Sequence, residues 1–161
     1  MAISVYTRAA ASIFSDPARR VKGSDWGSPL RVSYEKITFT TAGFTTASAG
    51  DIPLIQLPPG NVRLIGGLSW ISCPQGTATS DLDIGWAAYT KADGTAVNAD
   101  GDGIEASLDV GGAAIAQDLN GIAEYFEFDS REGVQIVCSF DTANSPASGD
   151  LIVRLVYMTT N

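Results

Sequence analysis

The stretch "GVQIVCSFD" (residues 133–141) decides the fold class. Val134, Ile136, Cys138 and Phe140 fall on one side of an extended chain, and Gln135, Ser139 and Asp141 on the other, with Val137 the exception. Alternation at period two belongs to a strand with one face on a core; a helix would instead repeat its apolar residues at i+3 and i+4. The same period recurs outward from this stretch. In "LDIGWAAY" (82–89), Leu82, Ile84, Trp86 and Ala88 point inward, with Asp83 and Gly85 outward. In "AEYFEFD" (123–129), Phe126 and Phe128 alternate with Tyr125, Glu127 and Asp129, and in "KITFTT" (36–41) Ile37 and Phe39 stand between threonines.

Two runs are apolar on both faces, "VRLIGGLSWISC" (62–73) and "LIVRLVYM" (151–158), and are placed centrally or at a contact. Gly66 and Gly67 interrupt the first and mark a bulge or a bend between sheets. "DIPLIQLPPGN" (51–61) reads as a short strand whose Pro53 suits an edge, followed by a Pro-Pro-Gly-Asn turn. Turn chemistry also falls at Pro74–Gly76, Asp93–Gly94, Asp100–Gly103, Gly111–Gly112 and Arg131–Gly133. About eight short strands with such punctuation predict an all-β fold, a jelly-roll-like two-sheet antiparallel sandwich. An immunoglobulin-like sandwich fits less well. Trp86 lies between Cys73 and Cys138, but Ile136 stands where the tyrosine corner needs Tyr.

Charge divides the chain unevenly. Residues 1–36 carry six basic and three acidic side chains, and the other 125 carry four and fifteen, so a net +3 precedes a net −11. Residues 1–31 show no sustained period and are broken by Pro17, Gly23, Gly27 and Pro29. They read as an extended N-terminal arm ahead of a β-sandwich domain at 32–161. A basic arm on an acidic body points to an acidic partner surface. That partner is a protein: the body repels phosphates and the arm has no dense Lys/Arg run, so nucleic acid is not expected. Arg8, Arg19, Arg20, Trp26 and Arg31 are the candidate contact residues, because arginine beside tryptophan is hot-spot composition. "AAASIF" (9–14) is too short for a signal segment, and no apolar run approaches the length of about 18 residues that a membrane span needs.

Chemistry finds few footholds. The chain has no histidine, so a Ser–His–Asp or Cys–His arrangement within it is impossible. Neither a phosphate-binding loop nor a dinucleotide fingerprint is present. Cys73 and Cys138 read as buried thiols, and they offer no zinc site. Asn98, Asp100, Asp102, Gly103 and Asp109 match an EF-hand spacing in part, but Asn opens the series, Asp replaces the bidentate Glu, and no helix flanks it. The stretch is expected to be an exposed Asp/Gly loop with no metal. Asp81 and Asp83 share a strand face at a spacing usable for glycoside hydrolysis. Residues 81–132 hold twelve acidic side chains and two basic ones, however, so such pairs arise there by density alone. Trp70 and Trp86 lie in strand patterns and are expected in the core. No catalytic residue, cofactor or metal is assigned.

"DIGWAAYTKADGTAVNADGDGIEASLDV" (83–110), preceded by "VRLIGGLSWISC", resembles the head decoration, or cement, proteins of tailed bacteriophages. The resemblance spans roughly residues 60–128 and rests on a strand–Asp-Gly turn–strand pattern. It implies a homotrimer of β-sandwich or jelly-roll subunits on the capsid exterior, made in the host cytoplasm. It also implies the major capsid protein as partner, an N-terminal arm reaching neighbouring capsomers, and no enzymatic activity. The alternative is a carbohydrate-binding β-sandwich module with a structural calcium at Asn98–Asp109.

Overall fold

The computed structural model describes residues 30–39, 52–76, 79–119, 121, 125–140 and 145–160. Twelve strands run in the order β1 (Arg31–Phe39), β2 (Ile52–Leu57), β3 (Gly60–Leu64), β4 (Trp70–Cys73), β5 (Asp81–Trp86), β6 (Tyr89–Thr90), β7 (Ala96–Val97), β8 (Asp100–Asp109), β9 (Ile115–Asp118), β10 (Phe126–Ser130), β11 (Val134–Phe140) and β12 (Gly149–Thr160). A 3-10 turn, Gly66–Leu68, separates β3 from β4. One sheet, here sheet A, has the order β10-β3-β12-β4-β9 with β1 also on β12. Sheet B has the order β2-β11-β5-β8, and β6 and β7 form a small ribbon.

The pairings are nested. β1 pairs β12, β2 pairs β11, β3 pairs β10, β4 pairs β9, β5 pairs β8 and β6 pairs β7, all antiparallel. The chain is therefore one long hairpin ribbon with its tip between β6 and β7. Further pairings of β12 with β3 and β4, and of β11 with β5, close the rolled ribbon into two sheets. This is a jelly roll, as the strand patterns predicted.

The core lies between the sheets. Val62, Leu64, Ile71, Phe128, Leu151, Val153 and Leu155 from sheet A meet Leu57, Leu82, Ile84, Val134, Ile136 and Cys138 from sheet B, all fully buried. Burying a side chain of this size contributes about 1.5–3 kcal/mol. Aromatic rings bridge the layers. Phe39 meets Phe140 edge-on at 6.0 Å, and Trp86 packs on Phe126 at 4.7 Å and on Phe128 at 5.5 Å. Cys73 and Cys138 are buried thiols, as expected, and burial pushes Cys73 up to about 12. β2 is an edge strand and carries Pro53, as its sequence required.

The Gly66–Gly67 break does not carry the chain between sheets. β3 and β4 lie end to end along the same strand, β12, through Tyr157–Thr160 and Ile152–Arg154 respectively. Ser69, fully buried, repairs the gap. Its hydroxyl donates to the Ile65 carbonyl at 2.7 Å and accepts the Val156 N–H at 2.9 Å, replacing the ladder bond that the turn interrupts.

The expected Asn98–Gly103 loop is also corrected. The true tip of the ribbon is at Asp93–Gly94, where Gly94 has φ +90 and Asp93 accepts the Thr95 N–H at 2.8 Å. That bond holds the Asp93 carboxyl below its ordinary value. Asp100 and Asp102 stay exposed, as expected, but they open strand β8. On β5 the step from Ile84 to Trp86 faces the step from Glu105 to Asp100, so β8 carries three extra residues there. The surplus folds over β5: a Cβ on Gly85 would meet the Asp100 carbonyl, and one on Gly103 would meet the Trp86 ring. β5 is therefore covered on both faces, and Asp83 is buried rather than pointing to solvent.

Candidate partner-binding surface

Of the arm residues expected to touch a partner, Arg8, Arg19, Arg20 and Trp26 lie outside the described residues. Arg31 is exposed at the first position of β1, opposite Tyr157. The strand thus takes in the last residue assigned to the arm, and from Val32 onward its alternate residues open onto an exposed surface.

That surface is the outer face of sheet A. Along β1, Ile37 and Phe39 turn toward the core, so alternation sends Val32, Tyr34, Lys36 and Thr38 the other way. Val32 is 62% exposed and Tyr34 59%. Cross-strand register then lays out rows on this face, since directly opposite residues have their Cβ atoms about 5 Å apart on the same side. Tyr34 is opposite Arg154, Arg154 opposite Trp70, and Trp70 opposite Asp118. Lys36 is opposite Ile152, which is opposite Ser72. The five exposed large hydrophobics among the described residues are Leu30, Val32, Tyr34, Leu68 and Tyr125. All five belong to sheet A or to segments leading into it.

Every basic residue in the two sheets is on sheet A, beside five acidic ones. Lys36 pairs with Asp150 at 2.8 Å, a hydrogen bond that raises the lysine and, together with Thr38, lowers the carboxyl. Arg63 pairs with Glu127 at 3.2 Å and lies 4.8 Å from the centre of the Tyr125 ring. Arg154 is exposed and has no ion pair among the described residues. Sheet B carries the acidic series on β8. Asp109 accepts the N–H groups of Gly111 and Gly112, and Glu105 that of Gly121. Asp102, close by on the same strand, raises the Asp100 carboxyl above its ordinary value.

Asp81 and Asp83 do not form a working pair. Asp83 is buried, and its Oδ1 accepts the Ser107 N–H at 2.6 Å. The EF-hand-like series is drawn out along β8, with Asp100 and Asp109 at its two ends, and no three potential ligands converge among the described residues. Trp86 is core, as expected, but Trp70 is half-buried on the outer face. Sequence reasoning missed Val32, Tyr34, Trp70 and Arg154. The signal for the first two was parity: in "RVSYEKITF" they alternate out of phase with Ile37 and Phe39.

No protein-family model matches the chain, and no curated protein matches it. A solved structure of the capsid asymmetric unit of cyanophage Pam1 contains a chain with a TM-score of 0.51 and 20% identity, over 90% of this chain and 96% of that one. That likeness is one of fold. A structure of infectious bursal disease virus, Gt strain, aligns with a TM-score of 0.44 and 10% identity over 81% of this chain and 32% of its own, too distant to carry an argument.

Proposed function

We propose that this chain is a structural protein of a virion, a decoration or cement protein that sits on the outside of a phage head and stabilises it by bridging capsomers. The observation that carries this reading is the polarised sandwich. Every exposed large hydrophobic among the described residues is on sheet A or in a segment leading into it, and the acidic residues of β8 are on sheet B. The fold shared with a chain of the cyanophage capsid supports it. The partner is the major capsid protein, and the chain associates with itself as a homotrimer. In this reading residues 1–31 carry the shell contact, through Arg8, Arg19, Arg20, Trp26 and Arg31. Stabilisation follows from mass action, because the protein binds the assembled lattice better than its free subunits. A carbohydrate-binding module with a calcium at Asn98–Asp109 finds less support, since those side chains are strung along a strand instead of gathered around an ion.

Co-sedimentation with assembled shells and with unassembled capsid protein tests the reading. Binding to shells alone is expected, and it should disappear on deletion of residues 2–30 while the strand-rich circular dichroism of the domain survives. Equal retention by both forms, or by neither, contradicts the proposal.

A further inference from the structure

We infer that the free edge of β1 pairs antiparallel with β1 of a second copy of this chain, about a two-fold axis centred on Ser33. The inference goes beyond the reading above and needs neither the shell nor the homotrimer. Arg31, one of the five shell contacts proposed there, is engaged by the second copy instead, and the other four are untouched.

Three observations carry it. The first is topology. β12 has β3 and β4 on one side and β1 on the other, so β1 ends sheet A on that side. Among the described residues β1 pairs with β12 alone, in one unshifted register from Arg31–Tyr157 to Phe39–Gly149. A long, regular edge is a template for another strand, and proteins guard such edges with proline, a bulge, short length or an unmet charge. β1 has nine residues, no proline and no bulge, and its Lys36 is held by Asp150 at 2.8 Å. The second observation is composition. Three of the five exposed large hydrophobics among the described residues, Leu30, Val32 and Tyr34, stand at the start of this one strand. The third is charge. Arg31 is exposed and Glu35 half-buried on the same side of β1, and neither has an ion pair among the described residues.

The sequence of β1 selects both the occupant and the register. Across a two-fold axis residue i meets residue j and j meets i, so an antiparallel ladder sets one residue opposite itself. With Ser33 at that point, Arg31 faces Glu35 of the other copy twice on the inner side, and Val32 faces Tyr34 twice on the outer side. Leu30 falls opposite Lys36, whose methylene stem covers it. Opposite charges and apolar pairs in direct opposition stabilise a ladder, and like charges destabilise it. No other centre matches both faces. Arg31, Glu35 or Lys36 on the axis sets like charges opposite one another. Tyr34 on the axis sets Arg31 against Ile37 and Val32 against Lys36, and Val32 there leaves Arg31 and Glu35 unmet. Centres from Ile37 onward leave Arg31 and Val32 beyond the paired length. Glu35, a charge on the core side of an edge strand, repels any strand that does not answer it, and a second β1 answers it with Arg31. The contact uses the same edge on both copies, so it closes at two.

The test is thiol cross-linking combined with a charge swap, on the full chain. Ser33→Cys sets a thiol opposite its own copy, and the native Cys73 and Cys138 are fully buried. A short bis-maleimide should link this variant into a covalent dimer on a denaturing gel. Thr38→Cys is the control: its two copies stand on opposite sides of the axis, about 33 Å apart by strand rise, and should stay unlinked. Adding Arg31→Glu to Ser33→Cys should raise the protein concentration needed for half-maximal linkage by about tenfold, because both ion pairs become like-charge pairs. Adding Glu35→Arg as well restores the pairs in reverse and should recover most of the linkage, which mere loss of fold could not do. Circular dichroism confirms that each variant is folded. An unlinked Ser33→Cys, equal linkage of Thr38→Cys, no effect of Arg31→Glu, or no recovery with Glu35→Arg overturns the inference. Light scattering and co-sedimentation of wild type read the earlier proposal separately. Linkage in a chain that forms no trimer and ignores shells leaves this contact standing and defeats that reading, whereas shell-bound trimers without linkage do the reverse.

Discussion

The buried carboxylate of Asp83 accepts the backbone N–H of Ser107 at 2.6 Å, and Ser107 is the single non-glycine residue with positive φ, +53, among the described residues. The two facts have one cause. β5 and β8 slip register between Leu82 and Ile84, so Asp83 faces both Ala106 and Ser107, and the surplus residue turns left-handed. A left-handed conformation costs a non-glycine residue about 1–2 kcal/mol, and the charge-assisted bond offsets it.

Two substitutions separate these terms. Ser107→Gly should raise stability by about 0.5–1 kcal/mol, because the side chain is exposed and glycine adopts positive φ freely. Asp83→Ala should lower it by about 2 kcal/mol, leaving the Ser107 N–H without its acceptor. Urea denaturation of the two variants checks both signs. An Asp83→Ala chain as stable as wild type would mean that the bulge holds without the carboxylate.

Glycine at 85 and 103 is required by a close approach rather than by dihedral angle. The start of β8 lies over β5, so a methyl group on Gly85 would run into the Asp100 backbone and one on Gly103 into the Trp86 ring. Gly85→Ala should cost about 3 kcal/mol or more, since backbone cannot give way cheaply. Gly103→Ala should cost less, because a side chain can shift. Gly67→Ala is the control: nothing lies within 4 Å of a Cβ there, and stability should stay within about 0.5 kcal/mol of wild type. Thermal melts rank the three.

These sites show what was legible in the sequence and what was not. Period-two alternation identified β11 and β10, Pro53 placed β2 at an edge, and the doubly apolar run 151–158 became the central strand β12. Alternation assumes an unbroken ladder, however. It failed for Asp83 and Gly85 because β8 carries one extra residue opposite the first and three opposite the second, and nothing in a local window reports what a partner strand does. It placed Trp70 in the core because "WISC" is apolar at each position but Ser72, while the register on β12 and β9 turns Trp70 outward. Arg154 was readable as a lone charge in an apolar strand. Its setting between Tyr34 and Trp70 joins three strands far apart in the chain, which only the topology reveals.

Ser69 is the joint of sheet A. It bridges the Ile65 carbonyl and the Val156 N–H where the ladder between β12 and the β3–β4 pair is interrupted, and its own N–H donates to Gly66 at 2.8 Å. Ser69→Ala keeps the backbone bonds and removes both hydroxyl bonds in a fully buried place. A buried donor left unsatisfied costs about 1–3 kcal/mol, so the variant should lose about 2 kcal/mol. Hydrogen exchange at Val156 localises the effect: that amide should exchange faster in the variant than its neighbours in β12. Uniform acceleration along the strand would place the damage in packing instead.

Cys73 closes β4 with its thiol fully buried, and desolvation pushes it from an ordinary 9.0 up to about 12. The thiolate is the species that alkylating reagents attack, so the native thiol should be inert at pH 8 and react only at the rate of unfolding. The same shift has a thermodynamic sign. Folded protein holds this proton more tightly than unfolded protein does, so the contribution is complete below pH 9.0 and is lost as pH rises toward about 12. The melting temperature should therefore fall across that alkaline window in wild type. Cys73→Ala, although destabilised at every pH by the smaller side chain, should show a shallower fall over the same range. Equal slopes in the two proteins would assign the alkaline loss to other groups, and rapid alkylation of native Cys73 at pH 8 would show that β4 opens to solvent without global unfolding.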